Sequence, residues 1–253
     1  MNEPRFDAVL LDIGDTLMHF ETSKPRRFVE AAARPAYDHL LQLRLSPPPF
    51  RRYVRKLQWA FLRAFVWSRL RGREVQTLNL LRRAHAAMGM PLTEQGVADL
   101  ARCCLPAIRP FFHTDPESVP MVRRLHEAGL RLAIVSNTFF PGFAIDDVLE
   151  HEGLLRYFPV RVYSSDVGFM KPHPGIFRIA LERVGVAPER AVMVGDRVDK
   201  DVRGARRVRL KTALVLHGRS RPRGSGADII VNRLAELLPA FGIPAANVAR
   251  ADA

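Results

Sequence analysis

Four short stretches of the sequence carry polar side chains of the types that bind cations and anionic groups. The first is LLDIGDTL at residues 10–17, in which Asp12 and Asp15 flank Gly14. The others are VSN at 135–137, KPHPGIF at 171–177 and GDRVDKD at 195–201. Carboxylate oxygens are ligands that Mg²⁺ prefers, and a lysine ammonium offers a compact positive charge to an anion. These residue types predict a site for Mg²⁺ and an anionic small molecule.

The elements that must position these residues are predicted strands that alternate with helices. Near-continuous apolar runs predict strands buried on both faces, as in a parallel sheet. These runs are residues 6–13, 131–137, 160–165, 191–196, 211–217 and 227–231. Segments with helical spacing lie between them, at residues 116–129, 174–185 and 199–208. The alternation predicts a Rossmann-like α/β fold with a doubly wound, mainly parallel sheet.

Residues 21–114 break this rhythm. They contain no convincing strand, their apolar residues recur at helical spacing, and breaks fall at SPPPF (46–50) and MPLTEQG (90–96). We therefore expect an α/β core domain from residues 1–20 and 115–253, with a helical domain inserted at 21–114.

The helical insert also allows predictions about the burial of segment 57–70 and of three histidines. Its segment 57–70 is apolar nearly all round, so we expect more than one face to be buried. Packing within the insert, a homodimer interface and a pocket wall are the alternatives for that segment. The histidines His39, His85 and His113 have no metal-ligand spacing and are expected at the surface or half-buried.

The polar residues should meet at one edge of the sheet, because ligands of open α/β sheets bind beyond the carboxyl ends of the strands. Several carboxylates at one edge repel each other unless a cation neutralises them. Asp12 and Asp196 could hold Mg²⁺ together with waters and an anionic oxygen. Lys171 would supply positive charge, and Ser136 a hydroxyl donor. Each residue alone is weak evidence, since a strand-end Asp is often a turn or N-cap residue.

The four motifs occur together in the order found in the haloacid dehalogenase-like (HAD) hydrolase superfamily, which the sequence resembles. They are DIGDTL, VSN, the lysine of GFMKPHPGIF, and GDRVDKD followed by Gly204-Ala205. The resemblance covers about residues 6–20 and 115–240. It implies that the inserted helices at 21–114 form a cap of the kind that follows the first motif.

The resemblance also implies roles for individual residues. Asp12 matches the nucleophile that attacks phosphorus and forms an aspartyl-phosphate. Lys171 matches the lysine of the third motif, and Asp201 the second acid that orients it or a metal-bound water. Asp196 matches the metal-binding carboxylate, and the Gly14 carbonyl would complete the protein ligands of Mg²⁺. The remaining positions match residues that steady the loop or bind the substrate, namely Thr16, Ser136 and Asn137.

The sequence departs from the family at Gly14. Phosphatase members carry a second Asp two residues after the nucleophile, where it protonates the leaving group and activates water. Here that position is glycine, and Asp15 is one residue too far. Adjacent residues after a strand point in different directions. Asp15 is therefore expected to support the turn through hydrogen bonds to nearby backbone.

The leading interpretation is a Mg²⁺-dependent hydrolase of small-molecule phosphate esters, and three alternatives remain open. A 2-haloacid dehalogenase-like enzyme also lacks the second Asp, but it uses no metal and is expected to lose Asp196. A phosphonate hydrolase would need a cap lysine for a Schiff base, for which Lys56 is a candidate. A non-catalytic binding or regulatory protein could have kept the fold and the metal site.

Composition narrows the class of protein. Lys and Arg number 39 against 26 Asp and Glu, a net charge of +13, which can attract nucleic acid. The basic residues are spread over helical faces without a nucleic-acid motif, so a nucleic-acid partner is not expected. No apolar run is long enough to span a membrane, and the start has no secretory signal, so we expect a cytoplasmic location. The adjacent Cys103 and Cys104 are expected to be buried or half-buried helix residues without a bridge.

Overall fold

The computed structural model describes residues 5–21, 25–71 and 74–244. Its centre is a six-stranded sheet in the order β5-β4-β1-β6-β7-β8, and every neighbouring pair is parallel. The strands are β1 (Ala8–Leu11), β4 (Arg131–Ser136), β5 (Val160–Tyr163), β6 (Ala191–Gly195), β7 (Lys211–Val215) and β8 (Ile229–Val231). All six predicted strands are confirmed, and each observed strand is shorter than the apolar run that predicted it.

Helices cover both faces of the sheet because alternate residues of each strand point to opposite sides. On one face, Val9 and Leu11 belong to a core with α6 (Ser118–Glu127), α7 (Gly142–His151) and α11 (Leu237–Ala240). On the other face, Ala8 and Leu10 belong to a core with α9 (Pro174–Val184) and α10 (Arg203–Arg206). A short helix, α8 (Ser164–Val167), follows β5. This arrangement is the predicted doubly wound, Rossmann-like fold.

Five α-helices lie within residues 25–108 of the part of the chain that the structure describes. They are α1 (Pro25–Gln42), α2 (Phe50–Arg71), α3 (Thr77–Ala86), α4 (Glu94–Cys103) and α5 (Leu105–Ile108). The predicted breaks at 46–50 and 90–96 coincide with the connections before α2 and α4, and the last residues of each break begin the helix that follows. Buried residues of α1, α2 and α4 form a hydrophobic cluster of their own around Leu40, Tyr53 and Leu100.

A short strand at residues 112–114 corrects the expectation that residues 21–114 contain no strand, and it pairs with another short strand at 18–20. β2 (Met18–Phe20) pairs with β3 (Phe112–Thr114) as an antiparallel ribbon, with His19 opposite His113. Each strand has only three residues, too few for the alternation of polar and apolar residues that reveals a strand in a sequence. The ribbon brings the two ends of the helical segment together beside the sheet.

Helix α2 and His85 differ from expectation in their burial. One face of α2 is buried through Tyr53, Val54 and Leu57, but large apolar residues farther along are exposed, among them Trp59 (60%) and Leu70 (75%). The expectation that more than one face of segment 57–70 is buried is therefore wrong, while the homodimer through this helix stays a prediction. His85, expected at or near the surface, is fully buried. Among the described helices, none is long and apolar enough to cross a membrane.

Candidate active site

Three neighbouring strands bring the predicted site residues to one edge of the sheet. Asp12 directly follows β1, Ser136 ends β4, and Asp196 directly follows β6. These strands are adjacent in the order β4-β1-β6. The Asp12 N–H donates to the Val194 carbonyl at 2.9 Å, which extends the strand pairing to the site. All three side chains are buried.

Lys171 joins two of the carboxylates. Its Nζ lies 2.8 Å from Asp12 Oδ1 and 2.7 Å from Asp201 Oδ1, and its side chain is 1% exposed. Burial alone would lower the pKa of Lys171, but the two carboxylates outweigh burial and raise it. The lysine is therefore protonated and holds Asp12 in one orientation.

Asn137 fixes the position of Lys171 from a strand end 34 residues earlier. Its Nδ2 donates to the Lys171 carbonyl at 3.0 Å, and its Oδ1 accepts from the Lys171 N–H at 2.7 Å. Both hydrogen bonds use the lysine backbone, so the ammonium remains available to the carboxylates. The motif-two asparagine thus has a positioning role in this geometry.

A π-helical turn at Val198–Val202 directs Asp201 back beneath the end of β6. Its Oδ2 accepts from the Arg197 N–H at 2.9 Å, while Oδ1 faces Lys171. Burial raises the pKa of Asp201 to about 6, although Lys171 works in the opposite direction. A Cβ at Gly195 would overlap the Asp201 carboxylate, so this close approach requires glycine. The predicted helix at 199–208 is therefore a π turn followed by the short α10.

Asp196 has an ion pair that the sequence did not indicate. Arg219 Nη2 donates to Asp196 Oδ2 at 2.9 Å, from the loop after β7. Burial raises the pKa of Asp196, Asp12 adds to this effect, and Arg219 opposes it. The sequence held one signal for this ion pair, an arginine in the loop after a neighbouring parallel strand. Such loops are often basic for no catalytic reason, so the signal was not specific.

The carboxylates of Asp12, Asp196 and Asp201 form a cluster suited to a cation. An oxygen of each lies within 4.8 Å of the others. Three carboxylates face the two cations Lys171 and Arg219, which leaves one negative charge in excess. Asp196 Oδ1 is buried and has no hydrogen-bond partner among the residues that the structure describes. Unpaired buried carboxylate oxygens are costly, so the site fits a hard cation such as Mg²⁺.

The rest of the first motif forms a turn beside this cluster. Thr16 is fully buried, and its Oγ1 has no partner in the described part of the chain. Gly14 is exposed. The Asp15 carboxylate is 67% exposed and lies 2.9 Å from His19 Nδ1, so it bonds a side chain instead of the nearby backbone that we expected. Asp15 thus lies outside the buried cluster.

Asp199 is a further carboxylate of the fourth motif that stays outside the cluster. Its side chain is about half exposed and pairs with Arg197, at 3.1 Å between Nε and Oδ1. Asp196 and Asp201 therefore belong to the buried cluster. Asp199, which lies between them in the sequence, forms a surface ion pair with Arg197.

Comparison with known proteins shows which family the chain belongs to. A sequence model of the haloacid dehalogenase-like hydrolases matches residues 6–209. The chain belongs to that family. It is 37% identical over 130 residues to the glyceraldehyde 3-phosphate phosphatase of Methanopyrus kandleri, covering 49% of this chain and 54% of that protein. It thus spans about half the length of the curated relatives that it matches.

Two solved structures of this HAD fold cover nearly the whole chain. The HAD phosphatase of Thermococcus onnurineus superposes with a TM-score of 0.60 at 24% identity, over 95% of this chain and all of that one. The 2-haloacid dehalogenase of Pseudomonas syringae pv. Tomato DC3000 superposes with a TM-score of 0.62 at 21% identity, over 94% of this chain and 98% of that one. Because both phosphatases and dehalogenases share the fold, the fold alone does not select the reaction.

Proposed function

We propose that the protein is a Mg²⁺-dependent hydrolase of small-molecule phosphate esters. The observation that carries the proposal is the buried Asp196 Oδ1, which has no hydrogen-bond partner in the part of the chain that the structure describes. It lies next to Asp12 and Asp201, which Lys171 bridges. A reaction that uses Asp12 and Lys171 alone would not need a further buried carboxylate with one oxygen unpaired. The relative from Methanopyrus kandleri is named a phosphatase, which supports the same reaction.

Asp12 is the proposed nucleophile. The Ile13 N–H, at 2.7 Å, and Lys171 both contact its Oδ1, which leaves Oδ2 for attack. As the Oδ2–phosphorus bond forms, the bond from phosphorus to the alcohol oxygen breaks and the alkoxide takes a proton from solvent water. A second water then attacks phosphorus and gives a proton back to the solvent, the bond to Asp12 breaks, and inorganic phosphate leaves. The two steps together hydrolyse one ester and regenerate the carboxylate.

The neighbouring residues bind and orient the transferred group in this proposal. Lys171 balances charge at Asp12 and the phosphate, and Asp201 holds the lysine. Ser136 and Thr16 supply hydroxyls, and Asn137 fixes the lysine backbone. Asp12, Asp196 and the Gly14 carbonyl would hold Mg²⁺, which when bound would neutralise charge on the phosphate oxygens. An oxygen of Asp201 lies within 4.8 Å of oxygens of Asp12 and Asp196, so Asp201 could also orient a water molecule in the site.

We also propose that residues 21–114 act as a cap over a core of 1–20 and 115–253. The separate hydrophobic cluster of the helices and the β2–β3 ribbon at both proposed boundaries support this division. Contacts between the two parts include the Ser164 hydroxyl, which donates to Glu74 Oε2 at 2.8 Å. Cytoplasmic location and the lack of a nucleic-acid partner stay predictions.

A screen of phosphate esters in Mg²⁺ and in excess chelator tests the proposed function. Phosphate release that requires Mg²⁺ supports it. The 2-haloacids and phosphonoacetaldehyde serve as substrates for the rival reactions. Halide release in chelator would establish the dehalogenase, and cleavage of phosphonoacetaldehyde that Lys56→Arg abolishes would establish the phosphonate hydrolase. A folded protein inert toward all three classes would support the binding or regulatory alternative.

A further inference from the structure

A cavity of about 400 Å³ lies where the helical segment meets the loop after β4. Its wall includes Phe28 of α1, Phe65 of α2 and Leu100 of α4, together with Phe139 and Phe140 of the loop. Pockets that bind small ligands have volumes of about 300–1,000 Å³. Protein interiors rarely contain spaces of this size. The cavity is therefore an unusual feature of the packing, and it is large enough to hold a small ligand.

The wall of the cavity offers almost no free polar atoms. The Thr77 hydroxyl donates to the Phe139 carbonyl, and the Tyr53 hydroxyl pairs with His85 Nε2 at 2.9 Å. The Cys104 thiol donates to the Leu100 carbonyl, and Glu21 also has an interaction partner. Water in a cavity needs two to four polar partners. The interior is therefore suited to hydrocarbon.

The cavity adjoins the loop that carries the proposed phosphate-binding serine. Phe139 is three residues after Ser136, so their Cα atoms are at most about 11 Å apart. The Phe139 ring meets Phe65 edge to face, with centroids 5.2 Å apart, and stacks on Phe140. A molecule with its phosphate at Ser136 and Asp12 could place its other end against these rings.

The cavity reaches the surface on the side of α2. Phe65 belongs to its wall and is also 38% exposed. The same helix carries other exposed apolar residues, namely Trp59, Leu62, Val66, Trp67 and Leu70. An apolar entrance lowers the cost of bringing a hydrocarbon group to the interior, because little water must be displaced from polar groups.

We propose that this cavity binds the hydrocarbon part of the substrate, and that the substrates are phosphate monoesters of hydrophobic alcohols. The inference rests on the proposed phosphate-ester hydrolysis. The phosphate end would be held at Asp12, Lys171 and Ser136, and the alkyl or aryl body would fill the space between Phe139 and the helices.

A series of straight-chain alkyl phosphates from ethyl to decyl tests the proposal on the whole protein. Each buried methylene adds about fourfold to kcat/KM. We expect kcat/KM to rise with chain length and to level off once the cavity is full. Equal values for ethyl and decyl phosphate would overturn the inference and leave the proposed function intact.

Cavity-filling variants locate the effect. Ala36 and Ala101 line the cavity from α1 and α4. Ala36→Leu should lower the ratio of kcat/KM for decyl phosphate to that for ethyl phosphate and so remove most of the gain from long chains. Ala101→Leu is the second variant in case the first does not fold, and Ala86→Leu, at an exposed position of α3, is the control. Long-chain preference that survives in both folded filling variants contradicts the proposal.

Binding of alkylphosphonates by calorimetry separates this inference from the proposed function. Decylphosphonate should bind more tightly than ethylphosphonate to the wild type, and this difference should shrink in Ala36→Leu or Ala101→Leu. That result without hydrolysis of any phosphate ester would retain the cavity as a ligand site and refute the proposed function. Equal binding of the two phosphonates to the wild type would refute the cavity proposal.

Discussion

Gly14 and Asp15 each occupy a backbone position that suits the other residue. Gly14 lies outside the left-handed region, with open space where a Cβ would stand, whereas Asp15 has φ of 56°. Positive φ favours glycine and is tolerated by Asp. Gly14 therefore does not require glycine for conformational reasons, and a carboxylate can be introduced there without backbone strain.

Introducing that carboxylate should raise turnover. In the proposed reaction the wild type lacks a positioned proton donor for the departing alkoxide, and a general acid or base contributes about 10²–10⁴-fold. Gly14→Asp should therefore accelerate hydrolysis of alkyl phosphates more than that of aryl phosphates, since phenolates leave without protonation. Steady-state rates on both ester classes measure this difference.

Gly14→Asn is the matched control, because it has nearly the same size and cannot act as an acid or base. It should give no comparable gain. A folded Gly14→Asp protein with no gain on any phosphate ester would show that the missing carboxylate does not limit the reaction.

The backbone at Asp15 predicts an asymmetric response to substitution. Asp15→Val should lower the free energy of unfolding by about 1–2 kcal/mol, because a β-branched residue is disfavoured at positive φ. Asp15→Gly should stay within about 0.5 kcal/mol of the wild type. Urea denaturation measures both, with Gly14→Ala as a control that is neutral or slightly stabilising. Equal losses for the valine and glycine variants would argue against strain at this position.

Arg219 should compete with a divalent cation for the charge of Asp196. Removing the guanidinium leaves a buried carboxylate without its ion-pair partner, which costs stability in chelator. Arg219→Ala should therefore have a lower melting temperature in chelator and a larger rise on addition of Mg²⁺ than the wild type. Arg221→Ala, exposed in the same loop, is the control. A smaller rise with Mg²⁺ in Arg219→Ala would mean that the arginine supports metal binding.

His85 should make stability depend on pH. Burial lowers the pKa of His85, and the Leu81 carbonyl only partly opposes this. Below about pH 6.5 this histidine is protonated in the unfolded chain but stays neutral in the folded chain until the pH is lower. The free energy of unfolding therefore falls as pH falls below about 6.5. Melting curves between pH 7.5 and 5 should show a smaller decline for His85→Gln than for the wild type. The exposed His151→Gln is the control, and an unchanged decline in His85→Gln would contradict this assignment.

The sequence predicted the parts of this structure that depend on local pattern. Apolar runs located all six strands of the large sheet, and strand ends carry Asp12, Ser136 and Asp196 to one edge.

Other features depend on contacts between distant residues, which a single sequence does not reveal. The hydrogen bonds between Asn137 and Lys171 join residues 34 positions apart in the sequence. The ion pair between Arg219 and Asp196 joins residues 23 positions apart. The ribbon of β2 and β3 is too short to leave a pattern, and the cavity beside Phe139 arises only when helices from the insert meet the loop.

The most direct test of Mg²⁺-dependent hydrolysis through Asp12 is phosphate release from an aryl phosphate by the wild type and Asp12→Asn, each in Mg²⁺ and in excess chelator. The asparagine keeps the size of the side chain but removes the nucleophilic charge, so the variant should fold normally. We expect release only from the wild type with Mg²⁺. Turnover near the wild-type rate by folded Asp12→Asn, or undiminished turnover in chelator, would contradict it.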